Sequence, residues 1–417
     1  MRTKFKETEI GMIPENWSVV KQKDIARFIN GRAYSYEEFR ESGTPIIRIQ
    51  NLTGTKDFVC SDLQLEEEKY VEKGDLIYAW SATFGPYVWK GPRAIFHYHI
   101  WKILCDESRL DKFFFYYKLK HISNRVSNTG TGSIFTHITK KLMEDSLISL
   151  PSISEQHSIA KILSDLDSKI ELNQNMNKTL EEIGQAIFKH WFIDFEFPNE
   201  EGKPYKSSGG KMVYNEEMDK EIPKGWKIGI FSDLVNNIKI SLKPGAYLQG
   251  RKYIPIELLP MHKIGIENYR EYTEAKSSLI AFEEDDILFG AMRPYFHRVN
   301  ISPFSGITRT TVFVLRPRKR EYLCYALFYL SLNSSIDYAN AHSTGSTIPY
   351  AVWSNSLEVM PTLLPDEEQL SKFNKLVYPL IDKIKKSFFE LQSLSEIRDS
   401  LLPKLISGKI RVPVETN

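Results

Sequence analysis

The sequence has few cysteines and no long apolar stretch. Its three cysteines, Cys60, Cys105 and Cys324, lie far apart and do not have the spacing of metal ligands. A sparse and odd set of cysteines is typical of reduced thiols in the cytoplasm. The longest apolar run, at 323–332, is far shorter than the roughly 20 residues that a membrane span requires, and no secretory signal follows Met1. We therefore expect a cytoplasmic protein that does not bind a membrane.

The sequence also lacks a large excess of charge of either sign. It has 55 Lys and Arg against 53 Asp and Glu, a net charge of +2. This balance excludes a strongly basic nucleic-acid coat but allows a local basic face. The chain is 42% hydrophobic and 26% charged, which is ordinary for a soluble globular protein. With 417 residues, it is expected to form two to four domains rather than one core.

The motifs of common catalytic and cofactor sites are missing. The sequence has no P-loop, no HExxH zinc motif, no GxSxG nucleophile elbow and no GxGxxG dinucleotide motif. His97 and His99 would share one face of a strand, but no third ligand is apparent, so we expect no metal site. We therefore expect a chain that recognises a ligand without transforming it.

What the sequence does contain is an internal repeat of about half its length. Motifs of the first half return 209 to 214 residues later: Ile13-Pro14-x-x-Trp17 as Ile222-Pro223-x-x-Trp226, Thr131-Gly132-Ser133 as Thr344-Gly345-Ser346, and Leu150-Pro151 as Leu364-Pro365. The nearly constant offset indicates duplication of a whole module, and the period is far too long for a solenoid. Two similar modules suggest two similar tasks at two places.

Each half begins with a segment that we predict to be a mixed α/β domain. Residues 13–150 and 222–363 are rich in β-branched and aromatic residues, interrupted by Gly and Pro. Runs at 45–50, 75–80 and 310–315 have the composition of strands. Short helices are predicted near 110–122 and 321–332.

Each half ends in a segment whose apolar residues recur every three to four positions, which is typical of an amphipathic helix. The segments are 152–195 and 366–407, and Ser152-x-x-Glu155 and Asp366-x-x-Gln369 predict a capping box at each start. A helix of about 40 residues is roughly 60 Å long, and its apolar stripe requires a partner, most simply the other helix. The predicted contact residues are Ile159, Leu163, Leu166, Ile170, Leu180, Ile187, Trp191 and Phe192 in the first helix, and Ile384, Phe388, Leu391, Leu401 and Leu405 in the second.

The predicted fold class is therefore α/β (α+β). Two mixed α/β domains are separated by two long helices packed as an antiparallel coiled coil, with a pseudo-twofold internal repeat. Antiparallel packing is favoured because a parallel pair would require the linker to run back along the whole helix. The predicted segments are 1–151 for the first domain, 152–197 for the central helix, 198–221 for the linker, 222–365 for the second domain, and 366–417 for the distal helix and tail.

Three residues leave the helix geometry open. Asn173 and Asn177 fall on the apolar seam. They either set the register of the coil as polar pairs or mark a local shift of the seam toward neighbours such as Met176. Pro379 predicts a kink or a restart of the second helix.

Double-stranded DNA is the candidate ligand, because a protein with dyad-related halves matches its antiparallel strands. Arg and amide side chains suit guanine and adenine edges, and small hydroxyl residues with Gly suit phosphates. For the small polar loop, a simple turn before the next strand is the alternative interpretation. The candidates are Arg48, Gln50, Asn51, Thr131, Gly132, Ser133 and Thr136 in the first domain, and Lys243, Arg251, Lys252, Arg293, Tyr295, Arg298, Arg309, Gly345, Ser346 and Thr347 in the second.

The sequence resembles the specificity subunits of type I restriction–modification systems over essentially its whole length. The resemblance rests on several motifs taken together. They are the duplicated I-P-x-x-W, Gly74-Asp75-Leu76-Ile77 with its partner Asp285-Asp286-Ile287-Leu288, Leu150-Pro151-x-x-Ser154-Glu155-Gln156, Lys189-x-Trp191-Phe192-x-Asp194-Phe195, and the closing Pro403-Lys404-Leu405-Ile406-Ser407-Gly408-Lys409-Ile410.

This resemblance implies two target-recognition domains that read a bipartite, asymmetric DNA site with an unread spacer, and no active site. It implies two methyltransferase subunits that use S-adenosylmethionine, and two restriction subunits that use ATP and Mg, with no cofactor in this chain. Trp191, Phe192 and Leu405 would belong to methyltransferase-docking or coil surfaces. Two other classes stay open: a self-sufficient methyltransferase or nuclease, and a coiled-coil scaffold that does not recognise DNA.

Overall fold

The structure is a computed structural model that describes residues 4–54, 57–81, 83–128, 139–345 and 347–413. The chain forms two compact units. Unit 1 contains 1–169 and 395–417, and unit 2 contains 170–394. Each unit therefore includes a part of both long helices, whereas the sequence-based division treated the helices as separate segments.

Unit 1 contains short strands followed by helices. Its strands are β1 (Phe5–Thr8), β2 (Gly11–Pro14), β3 (Ser18–Lys21), β4 (Ala26–Asn30), β5 (Thr44–Ile47), β6 (Cys60–Ser61), β7 (Tyr70–Val71), β8 (Leu76–Ala79), β9 (Gly85–Val88), β10 (Ala94–Phe96), β11 (Ile100–Cys105) and β12 (Leu147–Leu150). Its helices are α1 (Ile49–Leu52), α2 (Lys112–Asn128), α3 (Lys140–Asp145), the first part of α4 (Ile153–Phe188) and the last part of α7 (Glu367–Ile406).

The strands of unit 1 form two four-stranded sheets and two pairs. One sheet has the order β6-β5-β10-β7, with β5 and β10 parallel, and the other has the antiparallel order β4-β11-β8-β9. β1 pairs with β2, and β3 pairs with β12. The buried strands β8 and β10 are almost wholly apolar, as expected for strands covered on both faces.

Unit 2 contains a second set of short strands and helices. The strands are β13 (Met212–Asn215), β14 (Lys220–Pro223), β15 (Lys227–Ile230), β16 (Val235–Ile238), β17 (Ser241–Leu242), β18 (Lys252–Ile254), β19 (Arg270–Glu271), β20 (Leu279–Phe282), β21 (Ile287–Gly290), β22 (Val299–Ile301), β23 (Gly306–Arg309), β24 (Val312–Pro317) and β25 (Pro361–Leu364). The helices are the second part of α4, α5 (Leu323–Leu330), α6 (Asn333–Ala341) and the larger part of α7 (Glu367–Ile406).

The strand order of unit 2 matches that of unit 1 strand by strand. Its sheets are β16-β24-β21-β22 and β17-β20-β23-β18-β19, with β18 and β23 parallel, and β13–β14 and β15–β25 form pairs. The difference is β17, an added edge strand. The β1–β2 and β13–β14 hairpins even share one register, with Lys6 opposite Ile13 and Val213 opposite Ile222.

The structure corrects some sequence-based boundaries. The run at 45–50 is not one strand, because β5 ends at Ile47 and α1 begins at Ile49. Ser152 Oγ accepts from the backbone N–H of Glu155 at 3.3 Å, but the Glu155 carboxylate bonds Trp17 and Arg411 instead of completing a capping box.

Pro379 does not end or restart the second helix, since α7 is continuous from Glu367 to Ile406. Proline cannot donate a hydrogen bond to the carbonyl four residues earlier, which belongs to Lys375. Pro379 and Lys375 are both exposed, so water can satisfy this carbonyl.

The predicted contact residues of the long helices are buried or half-buried within their own units. Ile159, Leu163 and Leu405 belong to the core of unit 1, where they pack with sheet residues such as Phe28. Trp191 and Phe192 are buried in the core of unit 2, where Phe192 lies 4.8 Å from Phe373 between ring centroids. These two aromatic residues therefore stabilise unit 2 and are not exposed for docking.

Asn173 and Asn177, the two asparagines on the predicted apolar seam of α4, each have a buried polar atom. Asn173 is 1% exposed, and its Nδ2 has no hydrogen-bond partner among the described residues. Oδ1 of Asn177 is likewise buried without a partner in the described part of the chain. Both asparagines therefore place a polar atom at a buried position of α4, and register setting and a local shift of the seam both stay predictions.

The buried carboxylate of Glu155 joins three distant parts of unit 1. It accepts from the Trp17 indole N–H at 3.1 Å and from two guanidinium nitrogens of Arg411 at 2.8 and 2.9 Å. The Glu155 side chain is 1% exposed and that of Arg411 is 32% exposed. The Glu155 carboxylate, at the start of α4, therefore contacts both the I-P-x-x-W motif and Arg411.

We predict that Arg411→Ala lowers the free energy of unfolding by about 2 kcal/mol, because it leaves a buried carboxylate without its cation. The double substitution with Glu155→Gln should lose less, since no buried charge remains. Urea denaturation measures both, with exposed Lys409→Ala as the matched control. An Arg411→Ala chain as stable as the Lys409→Ala chain would contradict the prediction.

Glu181 is the second notable carboxyl group, and it lies on α4 within unit 2. Its Oε1 accepts from the backbone N–H of Ile264 at 2.9 Å. Burial raises the pKa of Glu181 to about 7, outweighing the opposite effect of this hydrogen bond. The folded state therefore favours the protonated acid. The stability that protonation of Glu181 adds is complete below about pH 4.5 and is lost as the pH rises to about 7.

We predict that Glu181→Gln removes this pH dependence. At pH 8 the variant should be more stable than the parent chain by about 2 kcal/mol, whereas at pH 4.5 the two should be similar. Urea denaturation at both pH values tests this, and the exposed neighbour Glu182→Gln serves as the control. A constant difference between Glu181→Gln and the parent at both pH values would show that Glu181 does not titrate in this way.

Candidate nucleic-acid interface

In unit 1, three loops meet at one edge of the sheets. The backbone N–H of Trp80, after β8, donates to the carbonyl of His99 at 3.1 Å, and that of Tyr98 donates to Arg32 at 2.9 Å. His97 N–H donates to the carbonyl of Ile47, the last residue of β5, at 2.9 Å. We call the residues that lie at or next to these bonds the unit 1 loop cluster: Arg32, Tyr34, Arg48, Trp80 and His97–His99.

The unit 1 loop cluster combines aromatic rings with cations. The Trp80 ring meets His99 edge-on at 5.2 Å, and the Arg32 guanidinium lies 5.0 Å from the Tyr34 ring. Tyr98 is 41% exposed. Aromatic faces and guanidinium groups together suit stacking on bases and contact with phosphates.

His97 is held in its neutral form near neutral pH. Burial lowers its pKa, and electrostatic repulsion from His99 and Arg48 lowers it further. A neutral imidazole has one donor and one acceptor. His97 can therefore hydrogen-bond a base edge without depending on charge.

The three candidates after β5 have different environments. Asn51 holds a local turn, because its Oδ1 accepts from Arg48 N–H and its Nδ2 donates to the carbonyl of Asp57, both at 2.9 Å. Gln50 is exposed. Arg48 is half-buried, and its Nε has no partner among the described residues. Arg48 is thus the member of this group that is placed in the loop cluster.

In unit 2, the corresponding loops meet in the same way. Ala291 N–H donates to the carbonyl of Thr311 at 2.9 Å, at the position that Trp80 and His99 occupy in unit 1. The Tyr350 hydroxyl donates to the carbonyl of Thr310 at 2.7 Å. We call these loops the unit 2 loop cluster: 291–298, 309–311, 344–345 and 347–350. Arg293, Tyr295, Arg309, Gly345 and Thr347 lie in it.

The loop with the repeated Thr-Gly-Ser motif is a closed turn in unit 2. The backbones of Thr344 and Tyr350 exchange two hydrogen bonds of 2.9 and 2.8 Å. Gly345 has φ +89°, and a Cβ there would lie 2.8 Å from the carbonyl oxygen of Ile348. The turn therefore requires glycine at 345, and phosphate contact stays a prediction. Outside the described residues lie Thr131, Gly132, Ser133, Thr136 and Ser346.

Three other basic candidates of unit 2 have different environments. The Lys252 ammonium lies among three rings, 5.2 Å from Tyr269, 4.9 Å from Phe304 and 5.8 Å from Phe389. The backbone N–H of Lys243 donates to the Tyr247 hydroxyl at 3.0 Å, and this bond fixes the loop that carries Lys243. Arg251 is exposed.

Arg298 supports the backbone of unit 2. Its Nη1 donates to the carbonyls of Ile256 and Leu259, the latter at 2.6 Å. Both acceptors belong to the segment after β18, so the guanidinium links this segment to β22. Arg298 is therefore a structural residue, although its sequence context suggested DNA contact.

Arg32, Tyr34, Trp80 and Tyr98 of the unit 1 loop cluster are not among the candidates that the sequence predicts. The signal in the sequence for this loop is the dense run His97-Tyr98-His99. Among the described residues, no group of three or more His, Cys, Asp or Glu side chains could hold a metal ion. In that part of the chain, moreover, none of the helices has both the length and the apolar character of a membrane span.

The two units thus share one strand order, and each carries a loop cluster with cationic and aromatic side chains at the same place in that order. Residues 14–182 match the family described as "Type I restriction modification DNA specificity domain". The chain is 29% identical over 441 residues to the type I restriction enzyme MjaIX specificity subunit of Methanocaldococcus jannaschii, covering 98% of this chain and 97% of that protein.

Further relatives extend the comparison. The EcoBI specificity subunit of Escherichia coli is 25% identical over 228 residues, or 54% of this chain and 48% of that protein. The crystal structure of the type I restriction–modification S subunit from M. genitalium has a TM-score of 0.59 at 18% identity. It covers 97% of this chain and 99% of that one, and it shows a shared fold. The chain is therefore similar to type I restriction–modification specificity subunits, through a family match in its first half and through relatives that it matches over nearly its whole length.

We predict that Arg298→Ala lowers the free energy of unfolding by about 2 kcal/mol, because two carbonyls lose their donor. The exposed Arg309→Ala should change it by less than about 0.5 kcal/mol. Urea denaturation of both variants checks this. If both arginines could be removed with equally small effects, Arg298 would not hold the loop.

Proposed function

We propose that this chain is the specificity subunit of a type I restriction–modification system and reads a bipartite, asymmetric sequence in double-stranded DNA, one half-site with each loop cluster. The observation that carries the proposal is the repeated hydrogen bond from Trp80 to His99 and from Ala291 to Thr311. It fixes two loops at the same point of both units, while the side chains on the loops differ. One frame with two different sets of side chains suits the reading of two different half-sites.

The chemistry of the clusters supports base and phosphate contact. Arg side chains bind guanine edges, and small hydroxyl residues and backbone N–H groups bind phosphates. Arg48 and His97 supply polar groups in unit 1, and Arg293 and Arg309 supply cations in unit 2. Local basic clusters provide this chemistry in a chain whose net charge is only +2.

We further propose that α4 and α7 run antiparallel as a coiled coil and set the length of the unread spacer, as the pseudo-twofold repeat implies. Two contacts support this. Asp167 accepts from Arg398 at 2.9 Å within unit 1, and Phe188 lies 5.9 Å from Phe373 within unit 2. Phe188 comes after Asp167 on α4, but its contact residue on α7 comes before the contact residue of Asp167. This reversed order is the pattern of antiparallel helices.

The chain acts as a targeting subunit in this proposal. Its partners are two methyltransferase subunits, which bind S-adenosylmethionine, and two restriction subunits, which bind ATP and Mg. In this proposal the partners catalyse methylation and restriction, and the chain supplies DNA recognition in the cytoplasm. The name of the MjaIX relative as a specificity subunit supports this division of tasks.

We predict that the complex with the methyltransferase methylates adenines in a bipartite motif, whereas the pure chain methylates none. Replacing 13–150 with the matching domain of a relative should change one half-site and leave the other, because each cluster reads alone. Genome-wide mapping of methylated adenine measures both. Methylation by the pure chain would indicate a self-sufficient enzyme, and a complex without DNA affinity would indicate a scaffold.

A further inference from the structure

The loop between β21 and β22 has an unusual backbone. Arg293 has φ +55° and His297 has φ +51°, which is the left-handed region that favours glycine. Arg293 also precedes Pro294, and residues before proline normally adopt extended conformations. Such strain persists only where the surroundings fix the backbone, and it is common at functional sites.

The surroundings of Arg293 do fix its backbone. Its N–H donates to the carbonyl of Pro349 at 2.8 Å, and its carbonyl accepts from Phe296 at 2.9 Å. The first bond ties the loop to the repeated Thr-Gly-Ser turn, so two elements of the unit 2 loop cluster hold one residue. A glycine at 293 would adopt this backbone more easily, so the backbone alone does not explain the arginine.

The guanidinium of Arg293 differs from those of neighbouring arginines. Arg298 donates to backbone carbonyls, Arg316 forms two bonds to Asp286, and Arg318 donates to the carbonyl of Ser232. Arg293 has a ring contact, 5.8 Å from Phe296, but no hydrogen-bond acceptor among the residues that the structure describes. It is half-buried, so its donors are available from a restricted position.

We infer that Arg293 is a specificity-determining residue that reads one guanine in the half-site of unit 2. Guanine presents two acceptors, O6 and N7, in the major groove, and a guanidinium donates to both. Adenine presents a donor beside N7, which opposes a second N–H. A fixed backbone and a half-buried side chain favour one geometry, whereas the exposed Arg309 suits phosphate. The inference rests on the proposed function and adds the residue and the base.

The test uses the complex of the full chain with its methyltransferase and the motif mapped for that complex. Arg293→Gly removes the guanidinium and suits φ +55°, so the variant should unfold at the same or a higher urea concentration than the parent. Asn355, with φ +57°, offers the matched control. Asn355→Gly relaxes the same backbone conformation but removes no group from the loop cluster.

Affinity is measured for duplexes with each base in turn at every position of the unit 2 half-site. The parent and Asn355→Gly complexes should prefer guanine at one position by roughly tenfold or more. Arg293→Gly should lose that preference and keep the unit 1 half-site. Arg293→Lys should lose most of it, because an ammonium cannot form the same two bonds.

Three results would overturn the inference. They are a unit 2 half-site without guanine, a guanine preference that survives Arg293→Gly, and an equal loss of affinity for every base. The last is the result expected of a phosphate contact. A parent complex that shows no bipartite motif would instead refute the proposed function, so the two failures are distinguishable.

Discussion

The apolar stripes of the two long helices are the feature on which both cores depend. In unit 2, Phe373, Val377 and Ile381 of α7 are fully buried in the same core as the sheet residues Ile287 and Leu315. In unit 1, Leu163 of α4 and Leu405 of α7 complete the core beside the sheet residue Phe28, which lies on β4. The helices thus form part of each unit's interior. Burial of these stripes removes apolar sheet and helix surface from water together, so neither is stable when exposed alone.

The loops of each cluster are held in place by hydrogen bonds of their backbone. The frame of each loop cluster is made of backbone hydrogen bonds, such as those of Trp80 with His99 and Ala291 with Thr311. Backbone bonds do not depend on the side chains, so a Trp in one unit can be an Ala in the other. The side chains on the loops can therefore differ between the two units while the strand order beneath them remains the same.

Arginine shows how one residue type has three roles in unit 2. Arg316 pairs with the buried Asp286, Arg298 holds two carbonyls, and Arg293 keeps its donors available. Sequence reasoning named Arg293 and Arg298 together as DNA contacts because both are cations in a basic region. Their difference depends on carbonyls more than 30 residues away along the chain, which local spacing does not reveal. The candidate site was thus predictable as a set of residue types, but not as a set of positions.

The sequence by itself determined the features that follow from local periodicity and repetition. Predicted helices at 152–195 and 366–407 correspond to α4 at Ile153–Phe188 and α7 at Glu367–Ile406, because apolar spacing and end signals act within a few turns. Tertiary structure alone decided that Glu155 pairs with Arg411, 256 residues away. It also decided that Pro379 is tolerated on an exposed helix face and that Asn51 holds a turn. These outcomes depend on which surfaces meet after folding, and burial at such contacts is set by the whole core rather than by neighbours in sequence.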